Sequence, residues 1–176
     1  MDSRKNFENI VSVYLEILKQ HLLLGLLHTG VNSEVYKRNI IVWDTLLLSL
    51  EFSAVQRIDN LLKNKDYFND KFKFPEFDSL IAKIDKWRND YSAHLKLPVL
   101  EDFEEFRNRN RMLGLEVLRL IIAMGKRLDA FDKNYKFGIN VEDRFNRTKS
   151  EAAEDLKDWI KHFGIKLCDN NNRPTA

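Results

Sequence analysis

Between Trp87 and His94 the chain reads Trp-Arg-Asn-Asp-Tyr-Ser-Ala-His, and two of these side chains can do chemistry together. An imidazole titrates near pH ~6.5, so His94 can take and return a proton close to neutrality. A guanidinium stays charged and presents a planar fork, so Arg88 can hold anionic oxygens while charge builds on them. Asn89, beside it, is a polar group able to bond a substrate hydroxyl or to hold His94 in one orientation. Spacing limits the pair: six helical positions leave Arg88 and His94 about 120° apart and about 9 Å along the axis. A single straight helix keeps them separate. Either the helix distorts before Pro98, or two copies of the chain contribute to one cleft. The bland alternative bonds His94 to a carbonyl near the helix end and pairs Arg88 with Asp85 or Glu105.

Other residue types carry less. Asp90 and His94 stand at i, i+4 and could share a metal ion, but no third ligand is near in sequence, so an ordinary ion pair is the better reading and no metal or other cofactor is expected. His21 and His28 share a helix face among Leu22, Leu24, Leu26 and Leu27 and read as satisfied interior or boundary histidines. Cys168 lies near the tail without a clear His partner in the sequence. Arg107 and Arg111 fall on one helix face, and with Lys83, Lys86 and Lys96 they could line a strip for a polyanion, since phosphate contacts supply most sequence-independent affinity. The same strip can equally be a solvated face paired with Glu101, Asp102 and Glu104. No Gly-rich phosphate loop, Gly-x-Ser-x-Gly elbow, His-Glu-x-x-His or paired Cys-x-x-Cys occurs, so those enzyme classes have no support.

The elements that must position these residues are helical. The chain has 176 residues, enough for one domain and hardly two, with 44% hydrophobic residues and one Cys. Lys and Arg number 29 against 27 Asp and Glu, a net +2 that excludes a blanket nucleic-acid wrapper but not a local basic patch. A lone Cys, no clean signal-peptide core and no long uncharged apolar run suit a soluble cytoplasmic protein that does not enter a membrane. Apolar residues at three- and four-residue steps predict a helix over about Ser3–His28, ended by Gly30. A second, over Ser33–Asn64, is apolar enough from Ile40 to Leu50 to lie inside a bundle. A third runs from Pro75 to Lys96, and a fourth from Leu100 to Phe131 with an acidic start and a basic end that match the helix dipole. Residues 132–147 have no clear period, and the capping box Thr148-Lys-Ser-Glu151 opens a last helix to Phe163. The expected fold is all-α: a four-helix-bundle core over residues 1–131, then a linker and C-terminal helix (132–168) packed on the same domain, then a disordered tail (169–176).

The third helix also carries a resemblance. Arg88, the polar Asn89, and His94 after five intervening residues are similar to the signature of the HEPN superfamily, an Arg followed by a polar residue and, after four to six positions, a His. The Arg-Asn start and Ala-His ending look most like the abortive-infection branch, and Arg57-Ile58-Asp59 is faintly similar to it as well. The likeness covers roughly residues 1–131, and its specific part is the eight-residue stretch. One departure matters: the toxin branch paired with a nucleotidyltransferase antitoxin has a Tyr two positions after the His, where this chain has Lys96. Control by modification of that Tyr is therefore not implied. The resemblance implies a homodimeric ribonuclease that needs no metal, used in prokaryotic defence or toxin systems, with an antitoxin or regulatory protein as a further partner. In that chemistry His94 takes the proton of the attacking 2′-OH, Arg88 steadies the phosphoryl oxygens, Asn89 can bond the ribose, and the product ends in a 2′,3′-cyclic phosphate. The alternative is a non-catalytic helical module of the same kind that binds RNA or a protein.

Overall fold

The computed structural model describes residues 3–30, 40–63, 74–94 and 103–163, with the side chains at 26–30, 40–48, 51–52, 87–94, 103–113, 160 and 163 outside the description. The fold is all-α. Among the described residues five helices follow one another: α1 (Ser3–Gly30), α2 (Ile40–Leu62), α3 (Asp78–His94), α4 (Phe103–Tyr135) and α5 (Val141–Phe163), with a 3-10 turn, Pro75–Phe77, ahead of α3. Among the described residues no helix is long and apolar enough to cross a membrane.

α1 sits at the centre and packs against α2, α4 and α5, while α3 packs against α2. Its inward line of Phe7, Val11, Tyr14, Ile17, Leu18, His21 and Leu24 is buried, at the three- and four-residue spacing that puts one face of a helix against a core. The cross-contacts fix the directions. Glu16 pairs with Arg57 and Gln20 Nε2 donates to Ser53 Oγ, so the α2 partner moves back as α1 advances and the two helices are antiparallel. The Phe7–Phe131 ring stack and the His21 bond to Gly114 give α4 the same antiparallel sense. On α5, Glu8 pairs with Arg144 at 3.2 Å and Lys19 with Asp155 at 2.6 Å. Both partners advance by about three turns, so α5 runs parallel to α1.

The end of the chain departs from the sequence expectation. α4 does not stop at Phe131 but continues to Tyr135, and α5 opens at Val141 rather than at Thr148. Thr148 is buried in the middle of α5, on a line with Val141, Ala152 and Leu156, so the Thr148–Glu151 pattern is a helical interior and not a capping box. The linker expected over residues 132–147 shrinks to a tight connection. Lys136 takes a left-handed φ of 54°, and the Phe137 N–H donates to the Asp132 carbonyl at 3.2 Å. This is the six-to-one bond of a Schellman ending, completed by the Phe137 ring against Phe131 at 6.1 Å. Gly138 and Asn140 then also take positive φ. The buried Asp132 carboxylate accepts the N–H groups of Ile139 at 3.1 Å and Asn140 at 2.8 Å, so one side chain satisfies both donors just before α5 begins. The segment lacks a period because its order comes from this one carboxylate and three left-handed residues. The tail expected over 169–176 and Cys168 lie outside the described residues.

Candidate functional site

α3 is aimed from its first turn. Phe74 is buried beneath the Arg127 guanidinium, 3.6 Å from the ring centroid, and the Phe77 N–H donates to the Phe74 carbonyl at 2.8 Å. Pro75 fits the first turn because it has no N–H to leave unbonded there. Leu80 and Ile84, one turn apart, are then buried in the same core as the inward residues of α1 and α4. Together they fix which side of α3 faces inward.

That register decides where the sequence-predicted residues stand. Arg88, Asn89 and His94 all belong to the backbone of α3, and their side chains lie outside the description. Arg88 follows Ile84 by one turn and Leu80 by two, so its position continues the inward line. His94 lies about 80° round the helix from Ile84 and, three turns on, within about 20° of Lys83. Lys83 and Lys86 are exposed. Lys86 stands about 160° from Arg88. The helix therefore groups the His94 position with Lys83 and leaves the Arg88 position on a different face. Arg107 and Arg111 belong to the backbone of α4 with their side chains outside the description, and Lys96 lies outside the described residues.

One arrangement beside the motif was not anticipated. Lys63, at the end of α2, reaches the buried Asp59 carboxylate at 2.9 Å and the Asp85 carboxylate of α3 at 3.0 Å. Asp59 and Lys63 at i, i+4 were a legible pair; the link across to Asp85 needs tertiary structure. Asp85, weighed above as a partner for Arg88, thus carries the Lys63 ammonium. Arg57 is committed to Glu16, and Ile58 is buried in the core.

His21 behaves as the sequence suggested, an interior histidine with a partner. It is buried, and its Nε2 donates to the Gly114 carbonyl at 2.8 Å, which assigns the proton to that nitrogen. Burial lowers its pKa from the ordinary 6.5, against a smaller upward pull from that bond. The His28 side chain is outside the description. Among the described residues no three His, Cys, Asp or Glu side chains gather closely enough to hold a metal ion. Comparison of the chain with protein-family models, with curated proteins and with solved structures found no match.

Proposed function

We propose that this chain is a metal-independent endoribonuclease of HEPN type that works as a homodimer, in a prokaryotic defence or toxin–antitoxin setting. The observation that carries the reading is the placement of Arg88, Asn89 and His94 on the later half of one helix of an all-α bundle. His94 accepts the proton of a ribose 2′-OH as that oxygen attacks the adjacent phosphorus, and it can return a proton to the departing 5′ oxygen. Arg88 holds the non-bridging oxygens as negative charge accumulates on them. Asn89 bonds the ribose or orients the imidazole. The exposed Lys83, on the His94 side of α3, gives the flanking phosphates a charge partner, with Lys86, Lys96, Arg107 and Arg111 as further candidates for that role. The angular separation of Arg88 and His94 on a regular helix favours a complete site that draws on two protomers.

Incubation of RNA with the protein in EDTA tests the reading. The expected result is fragments ending in a 2′,3′-cyclic phosphate, with cleavage abolished by Arg88→Ala and by His94→Ala. Intact RNA across structured and unstructured substrates, with both variants still retaining the biological phenotype, would transfer support to a non-catalytic module that binds RNA or protein.

A further inference from the structure

We infer that Lys63 is a positioning residue for the Arg88–His94 site, acting through Asp85; the inference rests on the ribonuclease reading. Lys63 closes the last turn of α2, its N–H donating to the Asp59 carbonyl at 3.1 Å. Its ammonium then bridges a buried carboxylate on α2 and a half-exposed one on α3. Leu80 and Ile84 fix which side of α3 faces inward by apolar contact, which is non-directional and leaves the finer angle about the helix axis less constrained. An ion pair to a fixed point has direction. Asp59 is that fixed point, 4% exposed and anchored in the last turn of α2. Asp85 stands one turn before Arg88 and about 60° round the helix from it, so locking Asp85 sets the angle at which Arg88 and His94 are presented. Because Lys63 and Asp85 are half exposed, with side chains at 52% and 46%, the bridge adds little stability. Its consequence falls on orientation, to which catalysis is far more sensitive than folding.

The test uses the full chain and three variants assayed on RNA in EDTA, with kcat and KM separated. Asp85→Asn keeps the Asp59–Lys63 pair and removes the α3 end of the bridge, so it spares the fold most. Lys63→Met removes both ends, and Lys63→Arg preserves the charge. For Asp85→Asn and Lys63→Met, kcat is expected to fall at least ~10-fold while KM changes less than about 3-fold; the melting temperature should change little in Asp85→Asn and fall in Lys63→Met, which takes the ammonium from the buried Asp59 carboxylate, with both proteins still folded at the assay temperature. Lys63→Arg is expected to stay within about 3-fold of the unsubstituted protein, and the Lys63→Met/Asp85→Asn double variant to be no worse than the weaker single one, as two ends of one link require. Undiminished kcat in Asp85→Asn, additive losses in the double variant, or losses matched by unfolding would overturn the role of Lys63 while leaving the ribonuclease reading intact. Absence of His94-dependent cleavage by the unsubstituted protein would overturn both.

Discussion

At residue scale, two interior polar groups show how closely α1 and α4 are fitted. Tyr14 is fully buried, its hydroxyl has no hydrogen-bond partner among the described residues, and burial pushes its pKa up. The ring lies over Gly125, where a Cβ would stand 2.9 Å from Tyr14 Cζ and nearer still to the hydroxyl oxygen. Gly125 is therefore a requirement of close approach. Ala there gains about 1 kcal/mol of helix propensity, but overpacking a fixed aromatic costs about 1–3 kcal/mol, so Gly125→Ala is expected to lower the unfolding free energy. Tyr14→Phe removes an unpaired buried hydroxyl, a group whose desolvation costs about 1–3 kcal/mol, so this variant should be as stable as the parent or more so, and should soften the Gly125→Ala penalty when the two are combined. Urea titration of the four proteins reads all three outcomes. His21 gives a pH dependence of definite sign. Its folded pKa lies below the unfolded value, so in the window beneath about pH 6.5 the unfolded chain binds the proton more readily. Stability should fall as pH drops through that window, and His21→Gln should flatten the slope of melting temperature against pH.

At the scale of elements, the α4–α5 connection is where local chemistry outweighs periodicity. Lys136 occupies a left-handed position with φ 54°, which costs an L-residue about 1–2 kcal/mol, against about 0.5–1 kcal/mol of extra chain entropy for glycine. Lys136→Gly is thus expected to stabilise the protein by roughly 0.5–1 kcal/mol, seen as a melting-temperature rise of about 1–4 °C. Asp132→Ala has the opposite sign, since it strands two N–H groups at the start of α5, and a loss of about 2–3 kcal/mol in a denaturant titration is the expected size. These two positions also explain what was legible. α1 could be read from apolar spacing because its inward line meets a core at 3.6-residue intervals, and α3 from Pro75 and the acidic Glu76 and Asp78 of its first turn. The start of α5 could not, because Asp132 caps it from the preceding helix, seven and eight residues away. The useful local signal was there in Asn140 followed by Glu142 and Asp143, a polar residue ahead of an acidic first turn. The Thr148–Glu151 pattern competed with it and misled, because burial of Thr148 is a tertiary fact.

At the scale of the whole molecule, the near balance of 29 basic and 27 acidic residues is compatible with a focused phosphate site and not with coating of a polyanion. The sequence made the Arg-x5-His spacing legible, but not the side of α3 on which each residue falls, because that depends on Leu80 and Ile84 turning inward. Once they do, Arg88 lies along the inward line and His94 well away from it, and a complete site asks for a second protomer. Mixing inactive subunits tests this directly. If each site joins Arg88 of one protomer to His94 of the other, a dimer of one Arg88→Ala and one His94→Ala subunit has one site missing both groups and one site intact. Random pairing of equal amounts makes half the dimers mixed, so about one quarter of the unsubstituted activity should return after co-refolding or subunit exchange. If instead each protomer holds a complete site, every site in the mixture lacks one group and no activity returns. Sedimentation at the assay concentration must find a dimer for either outcome to count, and dilution below its dissociation constant should then lower specific activity in parallel with the dimer fraction. Activity that returns near the quarter mark and disappears on dilution would locate the reaction at the interface between copies; activity that survives in the monomer would mean that α3 bends enough for one chain to bring the two residues together.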